Sequence, residues 1–328
     1  MKIVRSSDEA RELIPSAQRE AKSAFGLADV FLEKYLDHAQ HVEVQVFGDM
    51  TGHVVHLFER ECSVQRRHQK VIEEACAAGL DPEIRTAICA AAVSLAKKVN
   101  YLGAGTVEFL VQDGRFYFME MNTRLQVEHP VTELVTGVDL VKAQILSMMN
   151  HPLLWQQKEI TPRGHAIECR LYAEDPFTAG VPSTGKILFQ HFPTGPHRRF
   201  DYGFEAGDTV TSFYDSMIAK VIVWDETRPR AIMKMIETLK ETVIFGVKTN
   251  IPFLLEILQH PEFIEGKHST AFIKKYFSEG AKKYSLNDSD KLFFTEARRV
   301  GRTSQTGSPV ATSVSAESTP WTQSWRIK

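Results

Sequence analysis

The sequence predicts an α+β protein whose strands and helices form two successive units. Polar and apolar residues alternate strictly over residues 41–47, and a second clear strand pattern begins near residue 164. Between these strands, residues 84–99 carry apolar side chains at helical spacing behind an Asp81-Pro82 start signal. The length of 328 residues is enough for about two domains.

Bulk composition excludes several classes of protein. Hydrophobic residues make up 43% of the chain and charged residues 24%, as in ordinary globular proteins. The formal net charge of −2 gives no reason to expect nucleic acid as a partner. No run of about 18 apolar residues occurs, so no membrane association is expected. The four cysteines form no C-x-x-C pair, and neither a zinc site nor a disulfide framework is expected.

The first 36 residues are predicted to hold two strands and two helices. Residues 1–5 form a strand, and a capping box at residues 6–9 starts a short helix. Pro15 starts or kinks a second helix, which ends near Gly26. Residues 30–36 then form another strand.

A hairpin is predicted next. The strand at residues 41–47 carries His41, Glu43 and Gln45 on its polar face, and residues 53–58 return the chain after a turn. Residues 59–70 are dense in charge. Two interpretations stay open for this segment: a solvated charged loop, or a cationic loop that binds anions. The helix that follows is predicted to bury a stripe made of Ile84, Ile88, Ala91, Leu95 and Val99.

The most informative stretch is residues 116–130, which begins as an apolar strand. From Glu120 onward every second residue is polar: Glu120, Asn122, Arg124, Gln126 and Glu128. Alternate side chains of an extended backbone point to one face. One side of this segment therefore carries two carboxylates, two amides and a guanidinium, which are side chains that bind metals and anions.

Another carboxylate, Glu108, lies in the preceding strand, and Asp113-Gly114 is typical of a hairpin turn. A two-residue turn pairs Glu108 with Met119 and puts Glu108 and Glu120 on opposite faces. A three-residue loop with Gly114 in the left-handed conformation puts both carboxylates on the same face. If the two carboxylates share a metal, we therefore expect the three-residue, bulged loop.

Glu108, Glu120 and Asn122 form an all-oxygen set that suits Mg²⁺ or Mn²⁺ better than Zn²⁺. Such sites usually hold the metal against substrate phosphates. The alternative is a pair of carboxylates on a solvated hairpin. The Arg124-x-Gln126-x-Glu128 continuation favours the metal site.

A second unit is predicted after a helix at about residues 138–149. Its strands cover residues 164–176, 185–189, 209–212 and 214–223, and its helices cover residues 228–241, a segment from 248, and 271–277. Arg170 shares a strand face with Ala166 and Glu168, where an isolated arginine is usually a surface or salt-bridge residue. Residues 303–320 are rich in Ser, Thr and Ala and predict a flexible linker.

The segment from Glu120 to Glu133 resembles the signature of biotin carboxylase, in the ATP-grasp superfamily. Gln65-Arg66-Arg67-His68-Gln69-Lys70 resembles the second signature of that family. The resemblance covers residues 1 to about 277 and is nearest to the biotin-carboxylase part of acyl-CoA carboxylase α subunits of the methylcrotonyl-CoA and propionyl-CoA type. It implies a partial ATP-grasp domain followed by a biotin carboxylase C-terminal domain.

The resemblance also implies domain boundaries and a reaction. Residues 1–36 would be a remnant of the ATP-grasp lid subdomain, 37–160 the ATP-grasp core, 161–280 the biotin carboxylase C-terminal domain, and 281–328 a linker and the start of a missing domain. The implied reaction is the ATP-dependent carboxylation of biotin on a carrier protein by bicarbonate, through carboxyphosphate. Its cofactors are ATP, two ions of Mg²⁺ or Mn²⁺, and biotin.

The resemblance assigns a role to each candidate site residue. The catalytic residues are Glu128 as the base, Arg124, and Arg170 against the ureido oxygen of biotin. Bicarbonate is bound by Lys70, Arg124, Gln126 and the Val127 backbone. The nucleotide is bound by Glu33, Lys34, Leu36, His41, Gln65 and His68, and the metal by Glu108, Glu120 and Asn122.

The family also has an N-terminal domain, a pair of ATP-grasp lysines and a Gly-rich lid, none of which this sequence contains. We therefore expect a chain truncated at both ends and inactive by itself, and an inactive fragment with a partial nucleotide site and a dimer surface is the alternative function. The motif at residues 65–70 argues against another ATP-grasp ligase such as a carbamoyl-phosphate synthetase half. The expected partners are a biotin carboxyl carrier domain, a carboxyltransferase β subunit and a second copy of the chain. The cytoplasm is the expected location, with the mitochondrial matrix as the alternative.

Overall fold

The computed structural model describes residues 2–282. Its strands are β1 (Gln40–Gly48), β2 (Val54–Arg66), β3 (Gln69–Ala75), β4 (Gly103–Gln112), β5 (Arg115–Asn122), β6 (His165–Tyr172), β7 (Glu174–Asp175), β8 (Val181–Pro182), β9 (Gly185–Lys186), β10 (Phe189–His191), β11 (Arg198–Tyr202), β12 (Thr209–Val210), β13 (Met217–Asp225) and β14 (Val243–Phe245). Its helices are α1 (Ser7–Phe25), α2 (Pro82–Lys98), α3 (His129–Thr136), α4 (Leu140–Met148), α5 (Arg228–Glu241), α6 (Ile251–Leu258), α7 (Pro261–Ile264) and α8 (Phe272–Tyr276).

Eight strands form one antiparallel sheet in the order β11-β13-β6-β3-β2-β1-β4-β5. The remaining strands form three two-stranded ribbons, β10 with β14, β12 with β9, and β7 with β8. The large sheet is continuous through the pairing of β3 with β6, where Ile72 lies opposite Cys169. The sheet therefore joins strands from both sides of residue 161, and the division into domains at that residue remains a prediction.

Helices cover both faces of this sheet. Val131 and Val135 of α3 pack with Ala166 of β6, whereas α5 packs in the larger core that holds Ile167 of the same strand. Adjacent residues of a strand point to opposite faces, so α3 and α5 lie on opposite sides of β6. The α3 side is the one that carries the polar cluster described below.

Several helix predictions are confirmed. Helix α5 has the predicted bounds, and α2 begins at Pro82 with the Asp81 carboxylate accepting from the Glu83 N–H at 2.7 Å. The predicted buried stripe of α2 is displaced, because Ile88, Cys89, Ala92 and Ala96 are the buried residues. Small side chains let the helix approach the sheet along that line, and Val99 at the helix end is 55% exposed.

The predictions for residues 1–36 are partly wrong. One helix, α1, replaces the two expected helices and includes Pro15. Ser6 caps its N-terminal end and Gly26 its C-terminal end. The structure shows no strand in residues 2–5 or 30–36. Phe31 in the second segment is 81% exposed, and neither segment pairs with the described sheet.

The charged segment at residues 59–70 is not a solvated loop. Strand β2 continues to Arg66 and β3 begins at Gln69, so only Arg67 and His68, both with positive φ, form the turn. Glu59, Arg60 and Glu61 are at most 1% exposed. Opposite partners permit this burial, because Arg60 contacts Glu43 of β1, Glu59 contacts Arg85 of α2, and Glu61 contacts His268.

Two other predicted elements have different boundaries in the structure. The predicted helix at residues 138–149 is the shorter α4, which follows α3 after a left-handed Gly137. The predicted strand at residues 185–189 is divided between β9 and β10. None of the described helices is long and apolar enough to cross a membrane. The predicted linker and the residues after it lie outside the described residues.

Candidate active site

Lys70 on β3 lies at the centre of a cluster of carboxylates. Its ammonium group donates to Glu43 of β1, to Glu108 Oε1 of β4 at 3.1 Å and to Glu128 Oε1 at 2.6 Å. Burial lowers the pKa of Lys70, but Glu43 and Glu128 outweigh burial and hold that pKa well above its ordinary value. Lys70 is therefore a permanent positive charge to which several strands contribute acidic partners.

Arg60 is fully buried and donates hydrogen bonds to residues of this cluster. Arg60 Nε donates to Glu43 Oε1 at 2.6 Å, and Arg60 Nη2 donates to Gln126 Oε1 at 2.8 Å. Its other acceptors are Gln45, Thr106 and Thr132. Burial raises the pKa of Glu43, but Arg60 and Lys70 prevail and lower it to about 2. Sequence reasoning did not place Arg60 or Glu43 in the site, although Glu43 shares the predicted polar face with His41.

Glu128 lies between two cations. Arg170 Nη2 donates to Glu128 Oε2 at 2.9 Å, while Lys70 donates to the other oxygen of the same carboxylate. Arg170 Nε also donates to Glu73 Oε1 at 2.6 Å. Glu128 immediately precedes α3, and Arg170 projects from β6 beneath it. The structure therefore brings together the three residues that the resemblance assigns to base, anion binding and biotin contact.

His41 and Gln65 extend the cluster along β1 and β2. His41 Nε2 lies 2.7 Å from Glu108 Oε2, and the Gln65 amide nitrogen contacts His41 Nδ1. An amide that donates to Nδ1 leaves the proton on Nε2, which then donates to Glu108. Burial raises the pKa of Glu108, but His41 and Lys70 outweigh burial and lower it to about 2.

The turn between β4 and β5 differs from the predicted loop. It has two residues, Asp113 and Gly114, with φ of 52° and 69°, and Gln112 pairs with Arg115. The predicted three-residue loop is therefore wrong. The register shifts farther along, between Phe109–Phe118 and Glu108–Glu120, and leaves Met119 as an extra residue in β5. This bulge inside the strand, not the loop, puts both carboxylates on one face.

Glu108 and Glu120 converge beside Asn122. The Asn122 side-chain nitrogen donates to Glu108 Oε1 at 2.9 Å and to Glu120 Oε1 at 3.4 Å. Glu108 is buried and Glu120 is exposed. Both carboxylates accept from the same Asn122 nitrogen, and carboxylate oxygens are ligands that Mg²⁺ and Mn²⁺ prefer, so these residue types suit the predicted metal.

Gln126, Arg124 and Val127 follow on the same segment. Gln126 Nε2 donates to Glu108 Oε1 at 2.8 Å and is buried, whereas Arg124 is exposed and donates to Asn122 Oδ1 at 3.3 Å. The Val127 carbonyl accepts from Lys220 Nζ at 2.5 Å. Lys220 was missed at sequence level, although its strand pattern places it on β13 and the structure pairs it with Arg170.

The remaining predicted nucleotide residues lie away from these contacts. Lys34 donates to the Tyr117 hydroxyl of β5 at 2.9 Å, which links residues near 34 to the β4–β5 hairpin. Glu33 is exposed, Leu36 is half-buried and His68 is exposed in the β2–β3 turn. The structure does not bring these residues into the Lys70 cluster, and their nucleotide role stays a prediction.

Two family models match this chain. The model for the carbamoyl-phosphate synthase L chain, ATP binding domain, matches residues 1–154, and the model for the biotin carboxylase C-terminal domain matches residues 168–275. Their order along the chain agrees with the predicted fold.

Similar proteins include pyruvate carboxylase of Bacillus subtilis, which is 49% identical over 83% of this chain and 24% of its own length. The mitochondrial methylcrotonoyl-CoA carboxylase subunit alpha of Rattus norvegicus is 49% identical over 85% of this chain and 39% of its own length. The chain thus spans less than half of either relative. Equal identity to both does not single out the methylcrotonyl-CoA type.

A solved structure gives the same result for the fold. The biotin carboxylase domain dimer of 2-oxoglutarate carboxylase from Hydrogenobacter thermophilus, in complex with MgADP, ADP and bicarbonate, aligns with a TM-score of 0.81. It is 42% identical and covers 87% of this chain and 63% of the solved chain. The chain therefore carries biotin carboxylase ATP-grasp and C-terminal domains, and its homologues are spread across the biotin-dependent carboxylases.

Proposed function

We propose that this chain carries out the ATP-dependent carboxylation of biotin by bicarbonate. The observation that carries the proposal is the position of Glu128, which receives hydrogen bonds from Lys70 on one oxygen and from Arg170 on the other. A carboxylate between two cations is suited to an anionic substrate, because the cations attract the anion while the carboxylate accepts its proton. The H. thermophilus relative was solved with bicarbonate, which supports this substrate.

The first step of the proposed reaction also needs a metal ion and a nucleotide. Glu108, Glu120 and Asn122 would hold Mg²⁺, which neutralises phosphate charge when bound. His41 and Gln65 line the same side of the sheet, and the proposed nucleotide set also includes Glu33, Lys34, Leu36 and His68. The MgADP in the H. thermophilus structure supports ATP and Mg²⁺ here, and Mn²⁺ is proposed as a substitute with the same ligand preference.

Bicarbonate is proposed to bind to Lys70, Arg124, Gln126 and the Val127 backbone. Glu128 takes the bicarbonate proton, and a bicarbonate oxygen then attacks the γ-phosphorus of ATP as the bond to ADP breaks. The product, carboxyphosphate, separates into CO₂ and phosphate. Lys70 holds its charge throughout because its pKa is raised well above the ordinary value.

Biotin is proposed to bind against Arg170. Its N1 attacks CO₂ to form the new C–N bond, and the N1 proton passes to the phosphate released in the preceding step. Arg170 donates to the ureido oxygen, on which negative charge develops. The Arg170 guanidinium is partly buried, with 13% of its side chain exposed, so this interaction is weakly screened by solvent.

The partners and location are proposals of the same kind. We propose a biotin carboxyl carrier domain, a carboxyltransferase β subunit of the methylcrotonyl-CoA or propionyl-CoA type, and a homodimer. The dimer is supported by the H. thermophilus structure, and the methylcrotonyl-CoA type by relatives such as the rat protein. The proposed location is the cytoplasm, with the mitochondrial matrix as the alternative.

ATP hydrolysis with Mg²⁺ and bicarbonate, in the presence and absence of free biotin, tests the proposal. For the chain fused behind the N-terminal part of the B. subtilis relative, we expect turnover that biotin stimulates and that Glu128→Gln abolishes, whereas the chain alone is expected to be inactive. Nucleotide binding without turnover under all conditions would favour the alternative, an inactive fragment with a partial nucleotide site. Turnover that Glu128→Gln leaves unchanged would exclude the role of Glu128.

A further inference from the structure

Two buried carboxyl groups lie behind Arg170 and have no part in the reaction proposed above. Glu73 of β3 and Glu168 of β6 are direct partners across neighbouring strands, and both are 0% exposed. Partners directly opposite each other in an antiparallel pair have Cβ atoms about 5 Å apart on the same face. The two carboxyl groups are therefore within reach of each other.

If both groups were deprotonated carboxylates, several of their oxygens would lack a hydrogen-bond donor. Glu73 uses Oε1 to accept from Arg170, but Glu73 Oε2 and both oxygens of Glu168 have no hydrogen-bond partner among residues 2–282. Buried polar groups are almost always paired, and an unpaired buried carboxylate costs several kcal/mol. One proton on Glu168 reduces the deficit, because its O–H can donate to the free oxygen of Glu73 and the pair then carries one negative charge instead of two.

The charges around the pair favour the same arrangement. The charged groups that face Glu168 are Glu73 from β3, Arg170 from β6, Lys220 from β13 and Glu128 ahead of α3. Arg170 is already shared by Glu73 and Glu128, and Lys220 donates to the Val127 carbonyl and lies 3.3 Å from Asp201. No described cation lies within ion-pair distance of Glu168, so that carboxyl is the one that keeps the proton.

We propose that Glu168 is a neutral carboxylic acid that donates a hydrogen bond to Glu73, and that this pair positions the Arg170 guanidinium against Glu128. The chain of contacts then runs from Glu168 through Glu73 and Arg170 to the carboxylate of Glu128. Glu73 and Glu168 are positioning residues, since neither contacts the proposed substrates. The catalytic importance of the Arg170 position rests on the proposed function, whereas the protonation of Glu168 does not.

The direction of two pKa values is consistent with this geometry. Burial, with Glu73 next, raises the pKa of Glu168 well above its ordinary value. Burial also raises the pKa of Glu73 to about 7, although Arg170 opposes the increase. In a pair that shares one proton, the member bonded to Arg170 carries the negative charge.

Infrared spectroscopy of the chain with ¹³C-carboxyl-labelled glutamate tests the protonation state without requiring activity. At neutral pH we expect a protonated-carboxyl C=O band in the wild type, its loss in Glu168→Gln, and its retention in Glu237→Gln, where an exposed glutamate of α5 is changed. Glutamine is isosteric with a protonated glutamate, so Glu168→Gln is expected to fold. Absence of the band in the wild type, or its survival in Glu168→Gln, would overturn the proposal.

The positioning role is tested by NMR of the arginine Nε–H groups, with the Arg170 signal assigned by its loss in Arg170→Lys. We expect a slowly exchanging, downfield signal in the wild type that disappears in Glu73→Gln and shifts in Glu168→Gln. An Arg170 signal unchanged in both variants would show that the pair does not position Arg170. Both readouts are independent of turnover, so failure of the carboxylation assay and failure of this inference remain distinguishable.

Discussion

Glu108 lies directly opposite Glu120 on neighbouring strands because Met119 is an extra residue in β5. Without this bulge the regular alternation would pair Glu108 with Met119 and turn Glu120 to the other face. The two carboxylates nevertheless differ in environment. Glu108 is 4% exposed and bonded to Lys70, Gln126 and Asn122, whereas Glu120 is exposed at the surface.

This difference predicts separable effects of two substitutions. Glu120→Gln should weaken Mn²⁺ binding at least tenfold and change the free energy of unfolding by no more than about 0.5 kcal/mol, because its side chain is exposed. Glu108→Gln should weaken both Mn²⁺ binding and stability, because Lys70 and His41 lose a charged partner. Electron paramagnetic resonance of Mn²⁺ and urea unfolding measure the two effects.

Glu237→Gln serves as the control for both variants, since Glu237 is exposed on α5. It should leave Mn²⁺ binding and the urea midpoint at the wild-type values. Unchanged Mn²⁺ binding in Glu120→Gln would show that Glu120 is not a ligand.

Because Arg60 is buried and fully bonded, its substitution is expected to cause a large loss of stability. Arg60→Met removes one of the two cations that contact the buried Glu43, and it removes the donor that Gln126 and Thr132 accept from. Removing one partner of a buried ion pair costs about 3–5 kcal/mol. Urea unfolding followed by circular dichroism should show this decrease, against no more than about 0.5 kcal/mol for Arg19→Ala on the exposed side of α1. Equal midpoints for the two variants would contradict the structural role of Arg60.

Glu74 predicts the pH dependence of stability. Burial raises its pKa, but His165 and Arg228 outweigh burial and lower it to about 2, below the ordinary value of 4.5. The stabilisation is thus fully present above pH 4.5 and is lost as the pH falls towards 2, because the unfolded chain binds the proton more readily. A shift of this size corresponds to about 3 kcal/mol.

Glu74→Gln should therefore be less stable than the wild type at neutral pH, and the two stability curves should converge as the acid is added. Urea midpoints measured from neutral pH down to about pH 3 give both curves. Curves that stay parallel over this range would contradict the assignment of the acid dependence to Glu74.

The local pattern predicted those parts of the site that depend on one segment. Alternation placed His41 and Glu43 on one face of β1. Strand β5 ends at Asn122, so the same rule does not extend to Gln126 and Glu128. Capping residues predicted the start of α2, and the periodic pattern predicted the bounds of α5. Each of these features depends on neighbours in sequence, which is the information that periodicity carries.

The rest depends on partners distant in sequence. The charged run around Arg60 resembles a solvated loop until β1 and residues near Gln126 supply acceptors for the guanidinium. The bulge at Met119 has no signal in the turn residues, because a register shift within a strand is decided by packing across the pair. Glu168 gives no indication of a buried, uncharged state until Glu73 is placed opposite it.

The most direct test of the central claim is the formation of N-carboxybiotin from ¹³C-labelled bicarbonate, Mg·ATP and free biotin, measured by mass spectrometry. The chain is assayed alone and fused behind the N-terminal part of the B. subtilis relative, of which this chain matches 24%. We predict labelled carboxybiotin from the fusion and from its Glu237→Gln variant, and none from Glu128→Gln. Absence of label in a folded fusion that binds MgADP, or equal label in Glu128→Gln, would contradict the account.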